Sequence, residues 1–179
     1  MESALYGLSQ RFVLKDKIDV VLAETLRDID PVNHTIAVRC LAALQDLAAL
    51  IDALFDDKHS DIRVDAIESL GYVLPLDGKN DERLAAALKH KNFSEAQTKI
   101  ALQLLHGFTD QQWQDQRTRL GVAEYLLHEK LPIREMAHHL LLSAMPDGKK
   151  ISYDAAGNAE QRRHACEDWR KLIAAERLR

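Results

Sequence analysis

Five times along the chain an alanine stands three residues after an anchor position and four before a large apolar one. The triplets are His34/Ala37/Leu41, Arg63/Ala66/Leu70, Thr98/Ala101/Leu105, Arg134/Ala137/Leu141 and Arg162/Ala165/Trp169. Positions i, i+3 and i+7 share one face of a helix, so each triplet predicts the buried stripe of an amphipathic helix. The small residue lets a neighbouring helix come close, and the large one fills the space a turn further on. From Ala to Ala the separations are 29, 35, 36 and 28 residues. A stack of helical hairpins leaves self-similarity at that period, because each hairpin buries one face against the next.

The stretches between the triplets predict the partner helices. Apolar residues keep helical spacing from Asp16 to Ile29, and Asp30-Pro31 then reads as an N-cap followed by proline at the first helical position. The next helix runs through Leu44. Leu47, Leu50, Ile51 and Leu54 line one side of a short helix over Asp46–Phe55. The polar run from Asp56 to Asp61 is a turn, and a helix over Ile62–Leu74 is stopped by Pro75 and Asp77-Gly78. The third hairpin takes Asp81–His90 and Ser94–Phe108, and the fourth takes Asp110–His128 and Leu131–Met145. Ser94 with Gln97, and Thr109 with Gln112, are capping-box patterns, while Pro132 sits in a first turn, where its missing N–H costs nothing. Residues 146–157 read as an irregular loop and 158–178 as a terminal helix with an apolar face of Ala165, Cys166, Trp169, Leu172 and Ile173. Residues 1–15 show no clear period and read as a loose leader.

Composition agrees with an all-α, globular chain. Hydrophobic residues make up 46% and charged residues 29%, with only 7 Gly, 4 Pro and 6% aromatics, too few turn-formers for a β-sandwich. Cys40 and Cys166 support neither a disulfide framework nor a Cys-x-x-Cys site and read as buried free thiols, which suits a reducing compartment. No run reaches the ~20 apolar residues of a transmembrane helix. Met1 to Phe12 lacks a basic region followed by an apolar stretch, so no signal peptide and no membrane insertion are expected, and a full-length chain belongs in the cytoplasm. The net charge of −4 conceals a balance of −6 over residues 1–90 and +2 over residues 91–179. An acidic half and a barely basic half argue against nonspecific nucleic-acid binding, which rests on clustered Lys and Arg.

At these residues a family resemblance emerges. Asp-Ile-Arg-Val-Asp-Ala-Ile-Glu-Ser-Leu-Gly (61–71) resembles the second helix of a HEAT repeat, and Ala123 to Ala137 resembles the same unit with its first helix. From there through Ile151–Gly157 and Gln161–Arg170 the chain is similar to the C-terminal HEAT-like module of some uncharacterised bacterial proteins. The resemblance implies a single HEAT-like, armadillo-like domain over 1–179: a right-handed α-α superhelix of about four to five hairpins. His34 and Thr98 hold the family's Arg position and Pro132 stands where Asp61 does, so an Arg–Asp ladder between repeats would be incomplete.

Few residues offer chemistry. Arg63, Arg134 and Arg162 share one repeat position, and a stack would line them along one ridge. They read either as a basic strip for an acidic partner segment or as bonds to loop carbonyls and Asp side chains. Two rows, Ile36/Asp65/Ile100/Met136/His164 and Cys40/Ser69/Leu104/Leu140/Asp168, read as ordinary packing or as a groove for an apolar partner helix. The eight histidines include no His-Glu-x-x-His, and His138-His139 point some 100° apart on a helix, so no metal site is expected. No Gly-x-Ser-x-Gly and no glycine-rich phosphate loop occurs, and no cofactor is expected. Trp113 offers a partner anchor, and Trp169 plugs the end of the stack. The leading expectation is a non-enzymatic scaffold that binds another protein or peptide segment through a concave face and loops. The alternatives are a HEAT-like enzyme or nucleic-acid-binding protein, resembling the DNA glycosylases or bilin lyases built on such folds, and a structural capping piece of a larger assembly.

Overall fold

A computed structural model of the protein describes residues 18–26 and 30–176. The expected leader (1–15), Asp16, Lys17, 27–29 and the last residues of the terminal helix lie outside the described residues. The described chain is helical, with no strand among its described residues, and it falls into two compact units, one reaching Ala87 and the other starting at Leu88.

The first unit holds α1 (Ile18–Thr25), α2 (Pro31–Ala43), α3 (Leu47–Leu54), α4 (Ser60–Val73) and the start of α5 (Asn80–His90). Local chemistry starts these helices where the pattern places them. Asp30 caps α2 by accepting from the Val32 N–H at 3.0 Å, with Pro31 in the first turn. Asp46 caps α3 through the Ala49 N–H at 3.1 Å. α2 packs against α1, α3 and α4, and α3 also packs against α4. Ala37, Leu41, Ala66 and Leu70 are all at most 2% exposed, as two helices crossing on small residues require. A 3₁₀ turn over Leu74–Leu76 ends α4, and the buried Asn80 side chain donates to the Val73 carbonyl at 3.0 Å, tying the start of α5 to the end of α4.

Two helix ends close in the same way without a glycine. α2 and α5 each close with a six-to-one bond and a five-to-two bond, Asp46 N–H to Leu41 O with Gln45 N–H to Ala42 O, and Phe93 N–H to Leu88 O with Asn92 N–H to Lys89 O. This geometry needs a left-handed residue, supplied by Gln45 (φ 54°) and Asn92 (φ 60°) and not by glycine.

The second unit continues with α6 (Glu95–His106), α7 (Asp110–Gln114), α8 (Gln116–Glu124), α9 (Leu131–Ala144) and α10 (Ala159–Glu176). α9 packs on α6 and α8, and α10 packs on α8. Both halves of the Ser94/Gln97 and Thr109/Gln112 capping boxes form. The expected helix over Asp110–His128 is not continuous. It breaks at Asp115, whose extended backbone and carboxylate, accepting from the Arg117 N–H at 3.0 Å, start a new helix. It then tightens to a 3₁₀ turn over Tyr125–Leu127. α7 buries no residue, so packing gives it nothing with which to override the Asp115 cap. Residues 146–157 are less irregular than expected, since Pro146–Lys150 form a 3₁₀ turn packed on α9.

Candidate functional site

Three of the five anchor positions, His34, Arg63 and Arg134, carry polar side chains into the interior. Arg63 is 1% exposed and donates from Nη1 to the Asp56 carbonyl at 3.0 Å. Arg134, 8% exposed, donates from Nη1 to the carbonyls of His128 (2.7 Å) and Glu129 (2.9 Å), and from Nε to that of Ala155 (2.6 Å). Arg162 is half-buried and donates to the Gly157 carbonyl. Each guanidinium therefore reaches back to the turn that precedes its own helix, where loop carbonyls lack helical partners. Of the two readings of this position, the contacts seen are those of bonds to loop carbonyls.

The first triplet serves the same position differently. His34, 2% exposed, carries a shorter side chain than arginine and meets Asp61 of α4, Nδ1 to Oδ2, at 2.8 Å. An ionised carboxylate only accepts, so Nδ1 carries the proton. Beside it, the Thr35 hydroxyl donates to Asp65 at 2.6 Å. These two rungs fix α2 beside α4. The His59 ring lies tilted against that of His34, centroids 5.0 Å apart, and Asp56 accepts from the His59 and Lys58 N–H groups. Burial pushes the Asp56 carboxyl up, but those two N–H groups and the His59 ring outweigh it and hold the group below the usual carboxylate range. The turn that leads into α4 is thus bonded to itself through Asp56. Among the described residues no three His, Cys, Asp or Glu side chains converge as metal ligands would.

Above the rungs, α2 and α4 part around an open recess of about 340 Å³ lined by Arg39, Ala42, Ala43, Glu68, Ser69 and Tyr72. Three of its lining side chains, Ala42, Ala43 and Ser69, are small, and Tyr72 is 66% exposed. Ser69 belongs to a row picked out in the sequence. Arg39, Glu68 and Tyr72 were missed, and the signal that finds them is register: Arg39 and Glu68 each stand two residues after a repeat alanine, Ala37 and Ala66. In the second unit, Trp113 is half-buried and lies edge-on to Phe108, centroids 5.2 Å apart. Met136 and Leu104 of the two rows are buried in packing, whereas His164 and Asp168 are exposed.

No protein-family model, no curated protein and no solved structure matches the chain.

The second unit also holds an aromatic cluster of buried Trp169 with half-buried His138 and Tyr153. The His138 ring lies 4.7 Å from that of Tyr153 and 6.4 Å, edge-on, from that of Trp169. Tyr153 donates its hydroxyl to the Leu126 carbonyl at 2.7 Å, and burial raises the phenol's pKa far above its ordinary value. Burial, with His139 beside it, pushes His138 down from 6.5 to about 4. A histidine that resists protonation only in the folded state binds fewer protons folded than unfolded between those two values. Stability is therefore unaffected above pH 6.5 and falls as pH drops from 6.5 toward 4, by up to about 3 kcal/mol. Urea unfolding of the wild type and His138→Gln across that window checks this. The difference between the two should shrink toward acid, and a constant difference would show that His138 does not titrate there.

Proposed function

We propose that the protein is a non-enzymatic, HEAT-like repeat scaffold that holds other protein chains on the exposed face of its second helices and at its loops. The observation that carries this reading is a division of labour among side chains. Groups able to do acid–base or electrostatic work, His34, Asp61, Arg63 and Arg134, are turned inward and bonded, while Tyr72 stands out in solvent beside a recess lined in part by small side chains. Large aromatics presented beside polar groups are the usual anchors of protein contacts. Trp113, with part of its ring exposed, is the corresponding anchor in the second unit.

A phosphate-binding reading draws less support. Three exposed cations of α10 and its neighbours face carboxylates, Arg170 on Glu124 at 2.6 Å, Lys171 on Asp168 at 2.8 Å and Lys150 on Asp147 at 3.8 Å. Such local pairing opposes the counterion release that drives nucleic-acid binding. No helix among the described residues is long and apolar enough to cross a membrane.

Site-specific photo-crosslinking tests the scaffold reading. A photoreactive phenylalanine at position 72 or 113, in the native cell extract, should give discrete protein adducts that are absent when the probe replaces the exposed Lys79. Adducts no more frequent at 72 and 113 than at 79 would overturn it.

A further inference from the structure

The recess between α2 and α4 presents a knob, a hollow and two opposite charges, and a second copy of the same surface supplies what each of them lacks. The knob is Tyr72, 66% exposed. The hollow is the space over Ala42, Ala43 and Ser69. The charges are Arg39 and Glu68, both exposed, and neither is paired with a described residue although both line one recess.

Register makes these four elements self-complementary. Arg39 and Glu68 are each two residues past a repeat alanine, and Ala43 and Tyr72 are each six past the same alanines, Ala37 and Ala66. Arg39 on α2 is therefore level with Glu68 on α4, and Ala43 is level with Tyr72. The His34–Asp61 and Thr35–Asp65 bonds hold the two helices side by side in this register. A two-fold axis lying in the contact plane and running along the helices exchanges α2 of one copy with α4 of the other. It sets Arg39 opposite the partner's Glu68 and the partner's Tyr72 over Ala42 and Ala43, and it does both twice. An isologous contact requires this reciprocity, residue i meeting j while j meets i.

We propose that the α2/α4 face is a homodimer interface of this kind, two tyrosines inserted reciprocally between two Arg39–Glu68 ion pairs. It rests on the reading of this surface as a protein-contact face and names the occupant as a second copy. The alternating charges exclude a face of one sign: an acidic segment meets Glu68 and a basic one meets Arg39, each a like-charge clash.

Charge exchange tests the proposal. Sedimentation equilibrium should show the wild type forming a dimer, and Arg39→Glu or Glu68→Arg alone should weaken it at least about a hundredfold, because each places like charges opposite one another twice. Mixing the two variants should restore the dimer, with native mass spectrometry showing one copy of each, since the doubly acidic face of the first variant then meets the doubly basic face of the second. Restoration also shows that both variants fold. A wild type that stays monomeric at its solubility limit, single variants that still self-associate, or a mixture that stays monomeric would each overturn it. The probe at position 72 separates this failure from failure of the scaffold reading: a crosslink to a different protein refutes the dimer and leaves the scaffold, whereas no crosslink at 72 or 113 refutes both.

Discussion

Gly148→Ala is expected to destabilise the protein by about 3 kcal/mol, and to cost little once Trp169 has been replaced by Phe. A Cβ built on Gly148 would lie 1.9 Å from Trp169 Cη2, 2.5 Å from Cζ3 and 2.6 Å from Cζ2. All three atoms belong to the outer edge of the indole, so the 3₁₀ turn over Pro146–Lys150 sits directly on the end of the ring. Trp169 is fully buried and His138 meets it edge-on, so the ring has no free space to swing into. The backbone itself does not demand glycine, because Gly148 is not among the positive-φ residues of the described chain. The penalty is therefore steric, and shortening the ring should remove it. Urea denaturation of wild type, Gly148→Ala, Trp169→Phe and the double variant gives the coupling energy, expected near 2 kcal/mol in favour of the double variant. Additive costs would mean that the turn, and not the indole, resists the methyl group.

Gly148 was not legible as a packing residue, and the reason is physical. Helix faces and caps are written in spacings of three or four residues, so the five buried alanines, the Asp30 cap and the Ser94/Gln97 box could be read directly. The 146–157 segment has no period, and its role depends on meeting a ring twenty-one residues away. The break at Asp115 escaped for a related reason. An aspartate inside a helical pattern is equally compatible with a solvent-facing position and a new N-cap, and the choice turned on how little α7 could bury. The left-handed Gln45 was invisible because glutamine carries no signal for that conformation, while Asn92 carried a faint one.

The repeated anchor shows the same boundary from the other side. Its position was plain in the sequence, but whether its guanidinium faces a partner or a carbonyl depends on the path of the preceding turn. His34 shows how one position can be served by two chemistries: an imidazole, shorter than a guanidinium, pairs across to the Asp61 carboxylate on α4. The exposed recess lies just above that pair. Its four useful side chains could be found in the sequence only by comparing equivalent positions in two repeats, and not by looking for any motif.

Arg134→Met is expected to cost about 3–5 kcal/mol, the second large effect, and Arg134→Lys should recover less than half of it. One guanidinium joins two loops, the 128–129 turn through Nη1 and the Ala155 carbonyl through Nε. Methionine fills much of the volume but strands buried carbonyls at roughly 1–3 kcal/mol each. Lysine keeps the charge yet has a single ammonium on a flexible stem, which cannot span acceptors lying in two directions as a planar fork does. The Ala155 contact is one of four that pin the 146–157 segment, with Gly148 against Trp169, Tyr153 donating to Leu126 and Arg162 donating to the Gly157 carbonyl. Losing Arg134 should therefore loosen that segment before the helices melt. Hydrogen exchange should quicken first across 151–157, with α9 protected until global unfolding. Equal stability of the Lys variant and the wild type, or uniform loss of protection along α9, would show that the charge alone matters and that no bidentate tie holds the two loops.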